Sequence, residues 1–140
     1  ATDIGVSNYR TGQIDALVSA TGEVPAVNQI EWSPFGHSDA MLRYAKQRGL
    51  VIQAYSPLTR TKRLDDPTLE EIARRHGKTP AQVILRWDLQ RGAVPLPKAN
   101  RPEHLEENID VFDFELPADE MTKLNRLNEH WSSLGALPYD

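Results

Sequence analysis

Four short, mainly apolar runs with β-branched members recur along this 140-residue chain, and each is followed by a stretch with helical spacing. The runs are Ile4 to Val6, Ala26 to Ile30, Leu50 to Ala54 and Ala93 to Leu96. Parallel strands need a crossover between them, usually a helix, so this alternation predicts an α/β fold with a parallel sheet. The first run leads to Ile14, Leu17 and Val18, ending near Gly22. The second leads to Met41, Tyr44 and Ala45, with Ser38 or Asp39 as N-cap and Gly49 as the stop. Two helices follow the third run. One carries Leu69, Ile72 and Ala73 behind Pro67 and stops at Gly77; the other is capped by Thr79, begins with Pro80 and carries Val83, Ile84 and Trp87. After the fourth run, Pro102 opens a helix with Leu105 and Ile109 four apart. A last helix, from Pro117 to about Leu127, puts Met121, Leu124 and Leu127 on one side. Beyond it the tail, 129–140, has no periodicity. Four βα units admit two architectures, half of an eight-stranded barrel or a small open doubly wound sheet, and periodicity does not separate them.

Charge and composition remove several classes of function. The formal net charge of −4, from 16 Lys and Arg against 20 Asp and Glu, gives no support for nucleic acid as a partner. No apolar run approaches the roughly 18 residues that span a bilayer, so no membrane partner is expected. Without cysteine there are no disulfides, thiolate nucleophiles or cysteine metal sites, and a reducing, cytoplasmic setting is the compatible expectation. His37, His76, His104 and His130 are scattered without ligand spacing, so no metal site is expected. Ala1-Thr2-Asp3 leads straight into the first strand, which suggests a piece of a longer chain.

In parallel α/β proteins ligands collect beyond the carboxyl ends of the strands, where loops vary over a fixed sheet. Here every strand ends in a polar group: Ser7-Asn8-Tyr9, Asn28-Gln29, Tyr55-Ser56-Pro57-Leu58 and Pro97-Lys98. Singly, each is ordinary turn or surface chemistry. Brought to one rim, they offer hydroxyls, amides, an aromatic face and a cation, a set suited to an amide-bearing aromatic ring plus phosphate. They contain no nucleophile–base pair and no carboxylate pair.

Taken together these segments resemble the aldo-keto reductase family over essentially the whole chain. Gly5-Val6-Ser7-Asn8-Tyr9 is similar to the segment after the family's fifth strand, and Asn28-Gln29-Ile30-Glu31 to that of the sixth. Ala54-Tyr55-Ser56-Pro57-Leu58 is similar to the seventh. Leu96-Pro97-Lys98, with Glu107-Asn108 and Val111-Phe112-Asp113-Phe114, is similar to the eighth strand and helix. The resemblance implies the C-terminal half of a (β/α)8 TIM barrel over 1–128, with an extra C-terminal helix and the tail. It implies an oxidoreductase reducing aldehydes or ketones with NADPH. Ser7, Asn8 and Gln29 would hold the nicotinamide carboxamide and Tyr55 would stack on the ring. Ser56 and Leu58 would begin the loop over the pyrophosphate, Lys98 would meet the 2′-phosphate, and Glu107 and Asn108 would hold the adenine edge. In the tail, Trp131, Leu134 and Leu137 are expected to pack for stability rather than to line a substrate pocket.

Two departures bear on the cofactor. The family pattern has Ser or Thr after the lysine and Arg six positions after it; this chain has Ala99 and His104. Losing a hydroxyl and a fixed bidentate cation should weaken discrimination for the 2′-phosphate and raise tolerance of NADH. Arg101, or the basic run Arg60, Lys62 and Arg63, offers compensating charge. A further departure is an absence: the family's acid Tyr and its Asp, Lys and His partners belong to the first half of the barrel, so the catalytic set here is none and the chain alone is expected to be inactive. Half a barrel also leaves unpaired edges and an open interior. The expected partners are therefore the dinucleotide, a small carbonyl substrate, and either the missing half or a second copy of the chain. The competing reading is a catalytically silent, cofactor-binding or regulatory relative.

Overall fold

The structure is a computed structural model describing residues 1–137 and 139. Strands β1 (Gly5–Ser7), β2 (Val27–Glu31), β3 (Val51–Tyr55) and β4 (Val94–Leu96) form one sheet in chain order. All three pairings are parallel, as the alternation predicts. Each strand begins one residue later than its apolar run, and ahead of the first two strands Ile4 and Ala26 still join the ladder. Ala26 N–H donates to the Ile4 carbonyl at 2.8 Å, and Val51 N–H to that of Ala26 at 2.9 Å.

The register places side chains in rows across the sheet. Ser7, Gln29, Gln53 and Val94 form one row, and Glu31, Tyr55 and Leu96 the next row of the same parity. Val6, Asn28 and Ile52, then Ile30, Ala54 and Pro95, alternate with them on the opposite face. That opposite face is the core. Ile30, Ile52 and Ala54 pack in one buried cluster with Ile14, Met41, Leu69, Ile72, Ile84, Trp87 and Leu124. The first face is open, leaving Val51, Val94 and Leu96 exposed at 39%, 42% and 40%.

Helices α1 (Thr11–Thr21), α2 (Asp39–Arg48), α3 (Pro67–His76), α4 (Pro80–Arg91), α5 (Pro102–Ile109) and α6 (Ala118–Asn125) complete the chain. Their ends follow local chemistry. Of the two N-cap candidates for α2 the structure uses Ser38, whose hydroxyl accepts from Met41 N–H at 3.1 Å. Asp66 caps α3 by accepting from Thr68 and Leu69 N–H. Thr79 and Gln82 close a reciprocal capping box on α4. Gly49 and Gly77, at φ +70° and +62°, end α2 and α3 in the left-handed region that glycine enters freely. Helix α6 is shorter at both ends than its apolar spacing predicts, while Leu124 is fully buried. Helix α5 buries no residue, and its expected apolar pair, Leu105 and Ile109, stands exposed beside Phe112.

The described part of the tail is packed although it forms no helix. Glu129 and Trp131 N–H both donate to the Phe35 carbonyl, at 2.9 and 3.0 Å. Gly36 admits this approach: a Cβ there would lie 2.1 Å from the Trp131 carbonyl oxygen. Leu137 is buried, Trp131 packs against the core and Leu134 is exposed.

Candidate functional site

The carboxyl ends of the first three strands converge in a hydrogen-bonded group. The chain leaves β1 through Asn8 and β3 through Ser56, both left-handed at φ 58° and 48°. Asn8 N–H donates to the Gln29 carbonyl at 3.0 Å, and the Ser7 hydroxyl donates to the same oxygen at 3.0 Å. Tyr55 Oη donates to Asn8 Oδ1 at 3.0 Å. Gln29 Nε2 donates to Gln53 Oε1 at 3.1 Å. Ser7, Asn8, Gln29 and Tyr55, chosen from strand ends in the sequence, therefore share one rim.

Behind them, Asn28 is fully buried and holds the loop after β1: its Nδ2 donates to the Tyr9 carbonyl at 2.9 Å and its Oδ1 accepts from Tyr9 N–H. Asn8, Tyr55, Arg10 and Gln13 line a pocket of about 530 Å³, closed on one side by Ala136 and Leu137 of the tail. The tail is latched there by Glu31, a buried carboxylate that accepts from Ser133 N–H at 2.7 Å and from the hydroxyls of Ser132 and Ser133. The placement of Leu137 on the pocket wall differs from the purely structural role expected of it. Burial, and then the Glu31 charge, push the Tyr55 phenol above its ordinary pKa and keep it protonated.

The fourth strand end lies across a second cavity. Ser56, Pro57 and Leu58 from the exit of β3 face Pro97, Lys98 and Asn100 from the exit of β4, with Arg60, Thr61, Arg101 and His104 completing a groove of about 360 Å³. Ala99 is not part of its wall. Glu107 and Asn108 are not brought to the groove either. The Glu107 carboxylate accepts from the Thr79 hydroxyl at 2.5 Å, and Asn108 lines a separate apolar groove with Leu85, Leu105 and Phe112. Of the basic run, Arg60 reaches the groove. Arg63 instead pairs with Glu129 through two bonds, at 3.1 and 3.2 Å, and lies 4.2 Å from the centre of the Phe35 ring.

Gln53 and Glu31 were not singled out as site residues from sequence. Gln53 had a legible signal, a polar residue inside an apolar strand at the parity of Tyr55. The partners of Glu31 lie about a hundred residues away in the tail, and no local pattern announces them. Among the described residues no cluster of three or more His, Asp or Glu is placed to hold a metal, and no helix is long and apolar enough to cross a membrane.

The first pocket presents amide groups and an aromatic ring, and the second groove presents the side chains of Arg60, Lys98 and Arg101. Comparison with known proteins places the chain in a family. Aldo-keto reductase MT3049 of Mycobacterium tuberculosis is 45% identical over 129 residues, covering 92% of this chain and 46% of its own length. Glyoxal reductase of Bacillus subtilis is 41% identical over 126 residues, covering 90% and 46%. The chain thus spans less than half the length of these curated relatives. Among solved structures, Gox0644 in its apo form superposes with a TM-score of 0.92 at 37% identity, covering 99% of this chain and 51% of that one. A point mutant of Gox0644 in complex with NADPH gives 0.87 at 38%, covering 91% and 47%. The family model described as "Aldo/keto reductase family" matches residues 1–129, and with that the chain belongs to the aldo/keto reductase family.

Proposed function

We propose that this chain is the cofactor-holding half of an NADPH-dependent reductase of aldehydes or ketones, working in the cytoplasm. Residues 1–128 form the second half of a (β/α)8 barrel, and 129–140 a tail beside its mouth. The observation that carries this reading is the hydrogen-bonding capacity left on the rim. The network engages Asn8 Oδ1 and Gln29 Nε2, leaving the Asn8 amide N–H2 as donor and Gln29 Oε1 as acceptor. A carboxamide presents the complementary acceptor and donor, so the residues present fit a nicotinamide. Tyr55 lines the same pocket and offers its ring face for stacking, while Lys98 and His104 in the neighbouring groove fit the phosphate end. Ser56 and Leu58 line the second groove, and on this reading the adenine extends beyond it toward Glu107 and Asn108 on α5, which lie outside that groove. NADPH, when bound, supplies the hydride that reduces a carbonyl. This segment's residues orient the ring and anchor the phosphates, and they provide no acid–base group; that set comes from the first half of the barrel.

Titration calorimetry tests the cofactor assignment. The chain is expected to bind NADPH, and Gln29→Leu to weaken binding by roughly three- to tenfold, the effect of one lost hydrogen bond. No binding up to millimolar NADPH would refute it.

The open sheet face supports the barrel half. Val51, Val94 and Leu96 are exposed there, and among the described residues no strand pairs with the outer edges of β1 and β4. We propose that the first half of the barrel, or a second copy of this chain, covers that face. In light scattering after size exclusion, the chain alone is expected to run as a dimer or larger. A tightly folded monomer contradicts the idea.

A further inference from the structure

The groove between the exits of β3 and β4 carries more positive charge than the family resemblance accounts for. Lys98 and His104 are the positions that the resemblance assigns to the phosphate end, and Ala99 removes a hydroxyl there. Arg60 and Arg101 line the same groove, one from each loop, and among the described residues no carboxylate lines it. The chain as a whole is acidic, so this gathering does not reflect overall composition. Most of the well-placed cations elsewhere are neutralised: Arg48, Arg63, Arg75, Arg86, Arg91 and Lys78 all make ion pairs. Among the described residues Arg60, Lys98 and Arg101 make none. Unpaired like charges facing a shared cavity repel one another, and an anion relieves that repulsion.

The backbone presents Arg60 in an unusual way. Thr59, Arg60 and Thr61 are consecutive non-glycine residues in the left-handed region, at φ 54°, 52° and 66°. That conformation is unfavourable for L-residues and persists only where its surroundings fix it. Here they do. Thr59 is buried, its hydroxyl accepts from Arg63 N–H at 3.1 Å, and Thr61 N–H donates to the Leu58 carbonyl at 2.8 Å. Arg63 is in turn tied down by Glu129 and Phe35. The turn therefore holds Arg60 at the groove while Arg63 is directed away.

Resting on the cofactor reading above, we propose that Arg60 and Arg101 grip the 2′-phosphate of the adenosine from the two sides of this groove, in place of the hydroxyl and guanidinium that positions 99 and 104 lack. They are specificity residues: they bind a phosphate monoester dianion and distinguish it from a free 2′-hydroxyl. The loss at Ala99 and His104 is thereby offset, and the chain discriminates for NADPH rather than tolerating NADH.

Binding of two fragments to the chain tests this without any turnover. Adenosine 2′,5′-bisphosphate carries the extra phosphate and adenosine 5′-monophosphate lacks it. The wild type is expected to bind the bisphosphate about tenfold or more tightly, a preference that shrinks as salt is added. Arg60→Ala and Arg101→Ala are each expected to weaken bisphosphate binding by about tenfold, with less than a twofold change for the monophosphate. Arg101→Lys should recover part of the loss. Both arginines are exposed, so the variants should fold, which circular dichroism checks. Unchanged bisphosphate binding in both variants overturns this proposal alone, as does an equal loss on the two fragments. A wild type that binds neither fragment overturns the cofactor reading, and this proposal with it.

Discussion

Trp87→Ala is expected to lower the unfolding free energy by roughly 3–5 kcal/mol, a large fraction of the roughly 5–15 kcal/mol that holds a typical domain folded. Trp87 is fully buried on α4, one of the largest side chains in the core. Its indole N–H donates to Asn125 Oδ1 at 2.8 Å, tying α4 to α6, and the same oxygen accepts from Arg91 at 2.6 Å. The His37 ring meets it edge-on at 5.0 Å between centroids, and the Arg91 guanidinium lies 5.1 Å from its centre. Alanine removes the volume and leaves Asn125 with one donor fewer. Trp87→Phe keeps most of the volume and should be much milder, about 1–2 kcal/mol, chiefly the lost hydrogen bond. Urea melts of the three proteins measure both effects. A loss below about 1.5 kcal/mol for alanine would mean that the site collapses around the gap or that the packing is not as described.

His37 gives the second large effect, and it depends on pH. The ring is buried between Trp32 and Trp87, with Nδ1 3.1 Å from the Ser33 carbonyl oxygen. Burial first, and then the Arg91 charge, bring its pKa down to about 4. In the unfolded chain the same group titrates near 6.5. Between those values the unfolded state holds the proton and the folded state does not, so stability from this group falls as pH drops from about 6.5 to 4. The total is about 3 kcal/mol, fully lost below the folded value.

Asp88 works in the opposite direction over part of the same window. It is fully buried with neither carboxylate oxygen hydrogen-bonded, and burial holds its pKa well above the ordinary carboxyl range. Its folded form keeps a proton that the unfolded chain has released, so it stabilises more as pH falls. The raw pH profile of the wild type is therefore flattened, and the informative quantity is the difference from His37→Gln. That difference should shift by about 3 kcal/mol between pH 7 and pH 4. Parallel profiles for the two proteins would sink the assignment.

Much of this was legible in the sequence, and the exceptions have physical reasons. Local rules sufficed where one residue satisfies its neighbours' backbone: Ser38, Thr79 with Gln82, Gly49 and Gly77 all stand where their chemistry places them. Strand ends gave Ser7, Asn8, Gln29 and Tyr55, because parity and parallel order together decide which side chains meet. Spacing failed for α5. Leu105 and Ile109 are correctly four apart on a helix, yet spacing identifies an apolar stripe without identifying what covers it. The tail was opaque for a related reason. Its fixation depends on Glu31, Phe35 and the bare backbone of Gly36, all distant in sequence, and no periodicity encodes such contacts.

The in-register parallel sheet has a consequence for how such a site can change. Neighbouring strands repeat every ~4.8 Å, so four successive strand ends are laid out along ~14 Å by main-chain bonding alone. Side chains on that ruler can be exchanged one at a time without altering the spacing between the others. A substitution such as that at position 99 or 104 can then be answered by a residue on an adjacent loop, while the scaffold's dimensions stay constant.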